Sequence, residues 1–342
     1  MTDIMNFFSD NTATACPEVL EAISQANQGS VKAYGADAWT QRLDTALGEY
    51  FGTKVTAFVV TTGTAANALS LATVSPPYGA VYAHEAAHVV HDECGAVEFF
   101  SGGARVTSVA GQNGKLTAQT LQAVLDSNGI SVHQLQPAAV TVTQATEFGT
   151  VYRPDELKAL TAVARSRKLR VHMDGARFAN AVAYLNCHPG DVTWRAGVDV
   201  LSFGATKNGA IAAEAVVFFN LDCVKDFELR RKRAGHLISK SRYVSAQLLG
   251  YVESGAWLRN AQRANALAQQ IAQVAGDRLL YPVEANELFV KLGDANKKVL
   301  RDAGFHFYDW AAPASGEARL VVSWDQPEES VTALCRALAN LS

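Results

Sequence analysis

Asp199-Val200-Leu201-Ser202-Phe203-Gly204-Ala205-Thr206-Lys207-Asn208-Gly209 is the stretch around which the chain reads most coherently. Val200 to Phe203 is an apolar run and reads as a buried strand. It leads into small residues and then a single lysine. Gly204, Ala205, Thr206 and Gly209 leave little bulk beside Lys207, so another molecule has room against its amine. Desolvation lowers a lysine's pKa and frees the amine as a nucleophile, the usual route to a Schiff base. Taken alone, the stretch also fits a solvated lysine closing a strand, which is the commoner case.

An upstream stretch shifts that balance. Leu169-Arg170-Val171-His172-Met173-Asp174-Gly175-Ala176-Arg177 is again a strand, now ending in an acid. A carboxylate at a buried strand end is costly unless a positive group meets it. A protonated pyridine nitrogen is such a group. Pyridoxal phosphate (PLP) needs both parts, a lysine for its aldehyde and an acid that keeps its ring an electron sink. Asp174 beside Gly175 would otherwise be a cap or turn residue.

The segments His172-Met173-Asp174-Gly175-Ala176-Arg177-Phe178-Ala179-Asn180 and Ser202-Phe203-Gly204-Ala205-Thr206-Lys207-Asn208-Gly209 resemble the two signatures of the low-specificity L-threonine aldolases. These are fold-type I PLP enzymes of the β-eliminating lyase group. The resemblance runs from Ser9-Asp10-Asn11-Thr12 to Arg319-Leu320-Val321. It implies an α/β fold with a large PLP-binding domain, a mainly parallel seven-stranded sheet flanked by helices, and a smaller C-terminal α/β domain. The expected division is an N-terminal arm over 1–15, the large domain over 16–240 and the small domain over 241–342. Alternation of strands and helices through the first two-thirds points independently to a mainly parallel sheet. The site residues fall at strand C-terminal ends, where such sheets bind ligands.

The bulk properties agree with a globular enzyme. The chain has 342 residues, 49% of them hydrophobic and 18% charged, enough for a large core and two domains. A net charge of −3 gives no electrostatic reason to expect nucleic acid or an anionic membrane as partner. Met1 to Asp10 has neither a basic segment nor a long apolar one, so no signal peptide is expected, and no window suits a spanning helix. Cys16, Cys94, Cys187, Cys223 and Cys335 are scattered without a CxxC pair, which fits reduced thiols in a cytoplasmic protein and argues against a zinc cluster.

Several further positions carry chemistry. Val55 to Val60 reads as a strand turning at Gly63-Thr64 into a helix, and free N–H groups at such a turn suit a phosphate, with the Thr64 hydroxyl adding a donor. An isolated Gly-Thr would be read as a plain helix cap. His88 and His91 lack the HExxH zinc pattern, so metal is not expected. The resemblance assigns His88 the role of a ring stacked on PLP. His84 and His91 are expected to be surface or structural histidines.

The same resemblance places Ser9, in an extended arm from Asn6 to Thr12, near the substrate carboxylate. It gives Arg177 and Arg319 the task of clamping that carboxylate, which a planar guanidinium does bidentately. It adds Ala176 and Thr206 to the cofactor contacts. It also makes Tyr34, in the loop from Tyr34 to Thr40, a residue that reaches a neighbouring subunit's site. Many threonine aldolases carry a histidine where this chain has Glu147, a departure shared with a Gln-Ala-Thr-Glu subgroup. Glu147, His88 or water is then the expected base for the substrate hydroxyl, with Glu147 acting directly or through water. The basic run Arg230 to His236 is a solvated face by default, or by resemblance lies near the cofactor phosphate or the subunit interface.

The expected reaction is retro-aldol cleavage of a β-hydroxy-α-amino acid. L-Threonine or L-allo-threonine would give glycine and acetaldehyde. Phenylserine-type substrates, another PLP reaction such as transamination or β-elimination, and a non-catalytic PLP-binding homologue are the alternatives. The resemblance also implies a homo-oligomer, dimer or tetramer, with shared active sites.

Overall fold

The computed structural model describes residues 5–127, 131–312 and 314–341. Residues 1–4 of the expected arm lie outside them. The strands in chain order are β1 Met5–Asn6, β2 Thr56–Val60, β3 Gly79–His84, β4 Arg105–Val109, β5 Gln136–Thr143, β6 Arg170–Gly175, β7 Val200–Gly204, β8 Glu214–Phe218, β9 Glu287–Lys291, β10 Phe305–His306, β11 Tyr308–Trp310 and β12 Glu317–Val321. Seven of them form the large sheet, in the order β2-β8-β7-β6-β5-β3-β4. β8 runs antiparallel to both neighbours and the other pairings are parallel. Every residue of β7 and β8 is buried, because helices cover both faces of the sheet. This is why Val200 to Phe203 is apolar throughout instead of alternating.

Register brings the site together. Thr143 on β5 pairs with Asp174 on β6, and Asp174 pairs with Ser202 on β7. The C-terminal ends of three strands therefore stop at one level. Two glycines let the ends converge: a Cβ on Gly175 would lie 2.6 Å from the Ser202 carbonyl oxygen, and one on Gly204 would lie 2.9 Å from the Ala176 Cα. Any larger residue would push apart the two strands that carry Asp174 and Lys207.

The second layer is smaller. β9, β11 and β12 form an antiparallel sheet over a separate cluster that includes Leu288, Val290, Leu320 and Leu334. The 20-residue helix Ala256–Ala275 joins the two cores, with Ala256 in the large one and Leu267 to Ala275 in the small one. Helix Arg242–Glu253 buries Val244, Leu248, Leu249, Tyr251 and Val252 in the large core. The division at 240/241 is a proposal, and this packing favours moving it into the long helix. Phe7 of the N-terminal arm is fully buried in the small core. Its N–H donates to the His306 carbonyl at 2.8 Å, and its own carbonyl accepts from Val321 N–H at 2.9 Å.

Four local expectations are corrected. The arm is extended only at its start, and Asp10–Thr12 is a 3₁₀ turn capped by Ser9. The loop from Tyr34 ends early, because the Asp37 carboxylate caps a helix that begins at Ala38. Arg319 lies within β12 instead of opening it. In the basic helix Phe227–Arg233, Arg231 is buried, with its guanidinium over the Phe58 ring and an N–H on the Val59 carbonyl.

Candidate active site

Lys207 follows β7 in the 3₁₀ turn Thr206–Asn208, which Gly209 closes at φ 118°. Burial lowers its pKa and the Arg177 charge adds to the effect, so more of the amine is neutral than for a surface lysine. Asp174 ends β6 with 5% of its surface exposed. Its carboxylate accepts from the Asn67 side chain at 2.7 Å and from Ala176 N–H at 3.0 Å. Two residues earlier on the same face, His172 bridges Thr141 Oγ1 at 2.8 Å and Ser202 Oγ at 3.0 Å. Burial pushes His172 down to about 4, so it is a neutral strut beneath the site.

The helix Gly63–Val74 follows β2 directly. The Thr62 hydroxyl caps it by accepting from Ala65 N–H at 3.1 Å. The cap is thus one residue before the expected Gly63-Thr64 pair. The N-terminus remains open, since a Cβ on Gly63 would meet nothing within 4 Å. His236 Nδ1 lies 3.4 Å from the Thr61 hydroxyl just before this turn, so one member of the basic run reaches the same place.

A single cavity is lined by eight expected residues, Gly63, Thr64, His88, Glu147, Asp174, Ala176, Arg177 and Lys207. Asn67, Glu93 and Thr143 also line it and were not read from the sequence. Asn67 spends both amide hydrogens on carboxylates, donating to Glu93 at 2.8 Å and to Asp174 at 2.7 Å. His88 Nδ1 lies 3.0 Å from Glu93 Oε1. This hydrogen bond raises the pKa of His88, and burial raises that of Glu93, so the pair retains a proton. A polar residue within the run Ala65 to Ala72 was the sequence signal for Asn67. Glu93 had no comparable signal.

Glu147 sits at the turn after β5. Its Oε1 accepts from His88 N–H at 2.9 Å and from the Thr143 hydroxyl at 2.7 Å. Oε2 is buried without a partner. Burial pushes this carboxyl up to about 7. A second buried acid, Glu214 on β8, is also pushed up to about 7 by burial and is hydrogen-bonded by the Thr206 side chain. The Thr206 hydroxyl oxygen in turn accepts from Ala213 N–H at 3.2 Å. That hydroxyl is committed to its own strand connection.

The remaining expected residues lie apart from the cavity lining. Ser9 caps the turn in the arm, its hydroxyl accepting from Asn11 N–H at 3.1 Å. Tyr34 is 54% exposed, with the Lys232 ammonium 4.9 Å from its ring centroid. Arg319 is ion-paired to Glu287 at 2.6 Å. Arg177, by contrast, lines the cavity while gripped by Asp10, with Nε to Oδ2 at 2.6 Å and Nη2 to Oδ1 at 2.9 Å. Burial would raise Asp10, but Arg177, Lys207 and the Asn286 amide outweigh it and hold the carboxyl below its usual range. His84 is buried and its Nδ1 accepts from Ala86 N–H at 3.0 Å, so it is structural rather than a surface residue. Among the described residues no group of three or more His, Cys, Asp or Glu is placed to hold a metal ion, and no helix is long and apolar enough to cross a membrane.

The sequence profile of the β-eliminating lyases matches residues 6–295. The chain belongs to that family. It is 45% identical over 339 residues to a low-specificity L-threonine aldolase from Pseudomonas sp. (strain NCIMB 10558), covering 98% of this chain and 97% of that one. Its structure superposes on threonine aldolase from Leishmania major with a TM-score of 0.92 at 25% identity, covering 98% and 99% of the two chains. Aspartate aminotransferase from Thermus thermophilus shares the fold at a TM-score of 0.71 and 18% identity, covering 99% and 92%. The β-eliminating lyase thus has the expected fold-type I architecture.

Proposed function

We infer that this β-eliminating lyase is a PLP-dependent aldolase that cleaves L-threonine or L-allo-threonine to glycine and acetaldehyde. The observation that carries the reading is the Glu147 carboxyl, held near 7 in the same cavity as Lys207, Asp174 and Arg177. A group with that pKa is half-ionised at neutral pH and suits removal of a hydroxyl proton.

The residues present fit PLP. Asp174 is a buried carboxylate near a strand end, hydrogen-bonded among the described residues by an amide and a backbone N–H, and suited to a protonated ring nitrogen. The open N-terminus at Gly63 and Thr64 suits the phosphate, and Lys207 supplies the amine that holds the cofactor. When bound, PLP supplies the electron sink for the pair left on the substrate Cα.

The chain's own groups supply orientation and proton transfer. Arg177 and Arg319 take the α-carboxylate and thereby fix which bond at Cα faces the sink. Glu147, which lines the cavity with a raised carboxyl pKa, takes the β-hydroxyl proton. His88, held through Nδ1 by Glu93, offers Nε2 to the reacting group. Thr143, Ala145 and Thr146 line the cavity beside Glu147.

The exposed Tyr34 ring supports a homo-oligomer in which the loop reaches a second copy, and the five free cysteines support a reducing, cytoplasmic setting. The test is to load the protein with PLP, supply L-threonine, L-allo-threonine and phenylserine separately, and measure glycine and aldehyde. Equal amounts of both products support the aldolase, and the three rates rank the substrates. Lys207→Ala should abolish cleavage and the visible absorbance of bound PLP while circular dichroism is unchanged. Cofactor absorbance without aldehyde from any substrate overturns the reading.

A further inference from the structure

The two arginines expected to hold a substrate carboxylate already hold carboxylates of the chain itself. Asp10 uses the Nε/Nη2 edge of Arg177. The other terminal nitrogen, Nη1, lies 3.3 Å from Oε2 of Glu287. The Nε/Nη2 edge of Arg319 closes on Oε1 of the same glutamate, at 3.2 and 2.6 Å. Glu287 thus takes the free nitrogen of one arginine and the forked edge of the other, the groups a bound carboxylate would use.

Three features mark Glu287 as an occupant rather than a simple support. Its side chain is 1% exposed, so its charge is not screened by water. Two guanidinium groups and two carboxylates make a neutral cluster, so a further carboxylate meets no net positive charge there. Glu287 Oε2 is buried without a hydrogen bond, so on the Arg177 side it is held by charge alone. Asp10 differs, since both of its oxygens are hydrogen-bonded and Asn286 adds a contact at 3.1 Å.

We propose that Glu287 occupies the seat of the substrate α-carboxylate and sets the selectivity of the site for that group. This rests on the reading above that Arg177 and Arg319 receive the α-carboxylate. A carboxylate that takes these nitrogens must displace Glu287 and approach against its charge, whereas a neutral amide must displace it without that repulsion. If Glu287 merely aligned the arginines, removing its charge would weaken carboxylate binding. The two roles therefore predict opposite signs.

The experiment uses PLP-loaded wild type, Glu287→Gln and Glu287→Ala. Calorimetry measures the Kd of glycine and of glycinamide, and steady-state cleavage of L-threonine gives kcat and KM. Removing a like charge from contact distance in a buried site is expected to tighten glycine about tenfold or more. Glycinamide meets the same occupant but carries no carboxylate charge, so it should gain clearly less than glycine. KM for L-threonine should fall with the glycine Kd. Adding Arg319→Gln to Glu287→Gln should cancel the gain.

Glycine binding that is unchanged or weaker in both Glu287 variants overturns the proposal, as does an equal gain for glycinamide. The alanine variant covers the case in which the glutamine variant does not fold. A wild type that cleaves L-threonine while neither variant gains affinity refutes this inference alone. A wild type that neither binds glycine nor cleaves any β-hydroxy amino acid removes the aldolase reading and this inference with it.

Discussion

Glu147→Gln should lower activity and change stability with a pH dependence that identifies the cause. Burial lifts the Glu147 pKa from 4.5 to about 7. The native state therefore holds this proton where the unfolded chain has released it. Stability is lost as pH rises from the unfolded value through the folded one. Linkage puts the ionisation cost at about 1 kcal/mol at pH 5 and about 3 kcal/mol at pH 8.5. Glutamine keeps an acceptor for His88 N–H and the Thr143 hydroxyl, but places an NH₂ where Oε2 now has no partner. That unpaired donor costs about 1–3 kcal/mol at any pH. The variant should thus be about equal to or less stable than wild type at pH 5, and should gain about 2 kcal/mol relative to it by pH 8.5. Loss of the base should reduce kcat/KM for L-threonine by about 10²–10⁴-fold. Urea midpoints at pH 5, 7 and 8.5 and aldehyde release measure the two effects. A stability difference that does not change with pH refutes the buried-carboxyl argument. Undiminished cleavage refutes the assignment of Glu147 as the base.

Glu93→Gln should move the acid limb of the pH–rate profile to lower pH, because the hydrogen bond to Glu93 is the main cause of the raised His88 pKa; an unmoved limb would show that His88 does not titrate in the reaction. Arg177→Ala should destabilise the fold by about 3–5 kcal/mol, since it leaves the buried Asp10 carboxylate without its ion pair. The urea midpoint reads that loss, and Asp10→Asn in the same chain should recover part of it.

Much of the architecture was legible because the governing forces are local. β7 lies where the continuous apolar run Val200 to Phe203 placed it. The helix after β2 was legible too, though its cap is Thr62 rather than the Gly-Thr pair, because the Thr62 hydroxyl reaches Ala65 N–H first. The loop at Tyr34 was read too long for the same kind of reason. Asp37 is an effective cap, so the helix begins inside the stretch read as a loop.

The site divides along the same line. Lys207, Asp174, Gly63-Thr64 and His88 were legible as candidates because each sits beside a strand end or within a motif, and eight expected residues line one cavity. Their partners were not identified. Asn67 meets Asp174 across 107 residues of chain, and Arg177 meets Asp10 across 167. Arg177 and Arg319 have the right chemistry for a carboxylate clamp, yet the sequence does not show that Glu287 stands between them.

What the sequence determined by itself was the order of strands and helices, the lysine and acid at two strand ends, and the family. Hydrophobic period, capping residues and glycines act over a few residues, so they can be read in line. Only the tertiary structure decided which charges face one another, how deeply Glu147 and Glu214 are buried, and that the arginine pair carries internal carboxylates. Those properties depend on strand register and on the water excluded between distant segments, and Coulomb and desolvation energies have no value until those segments meet.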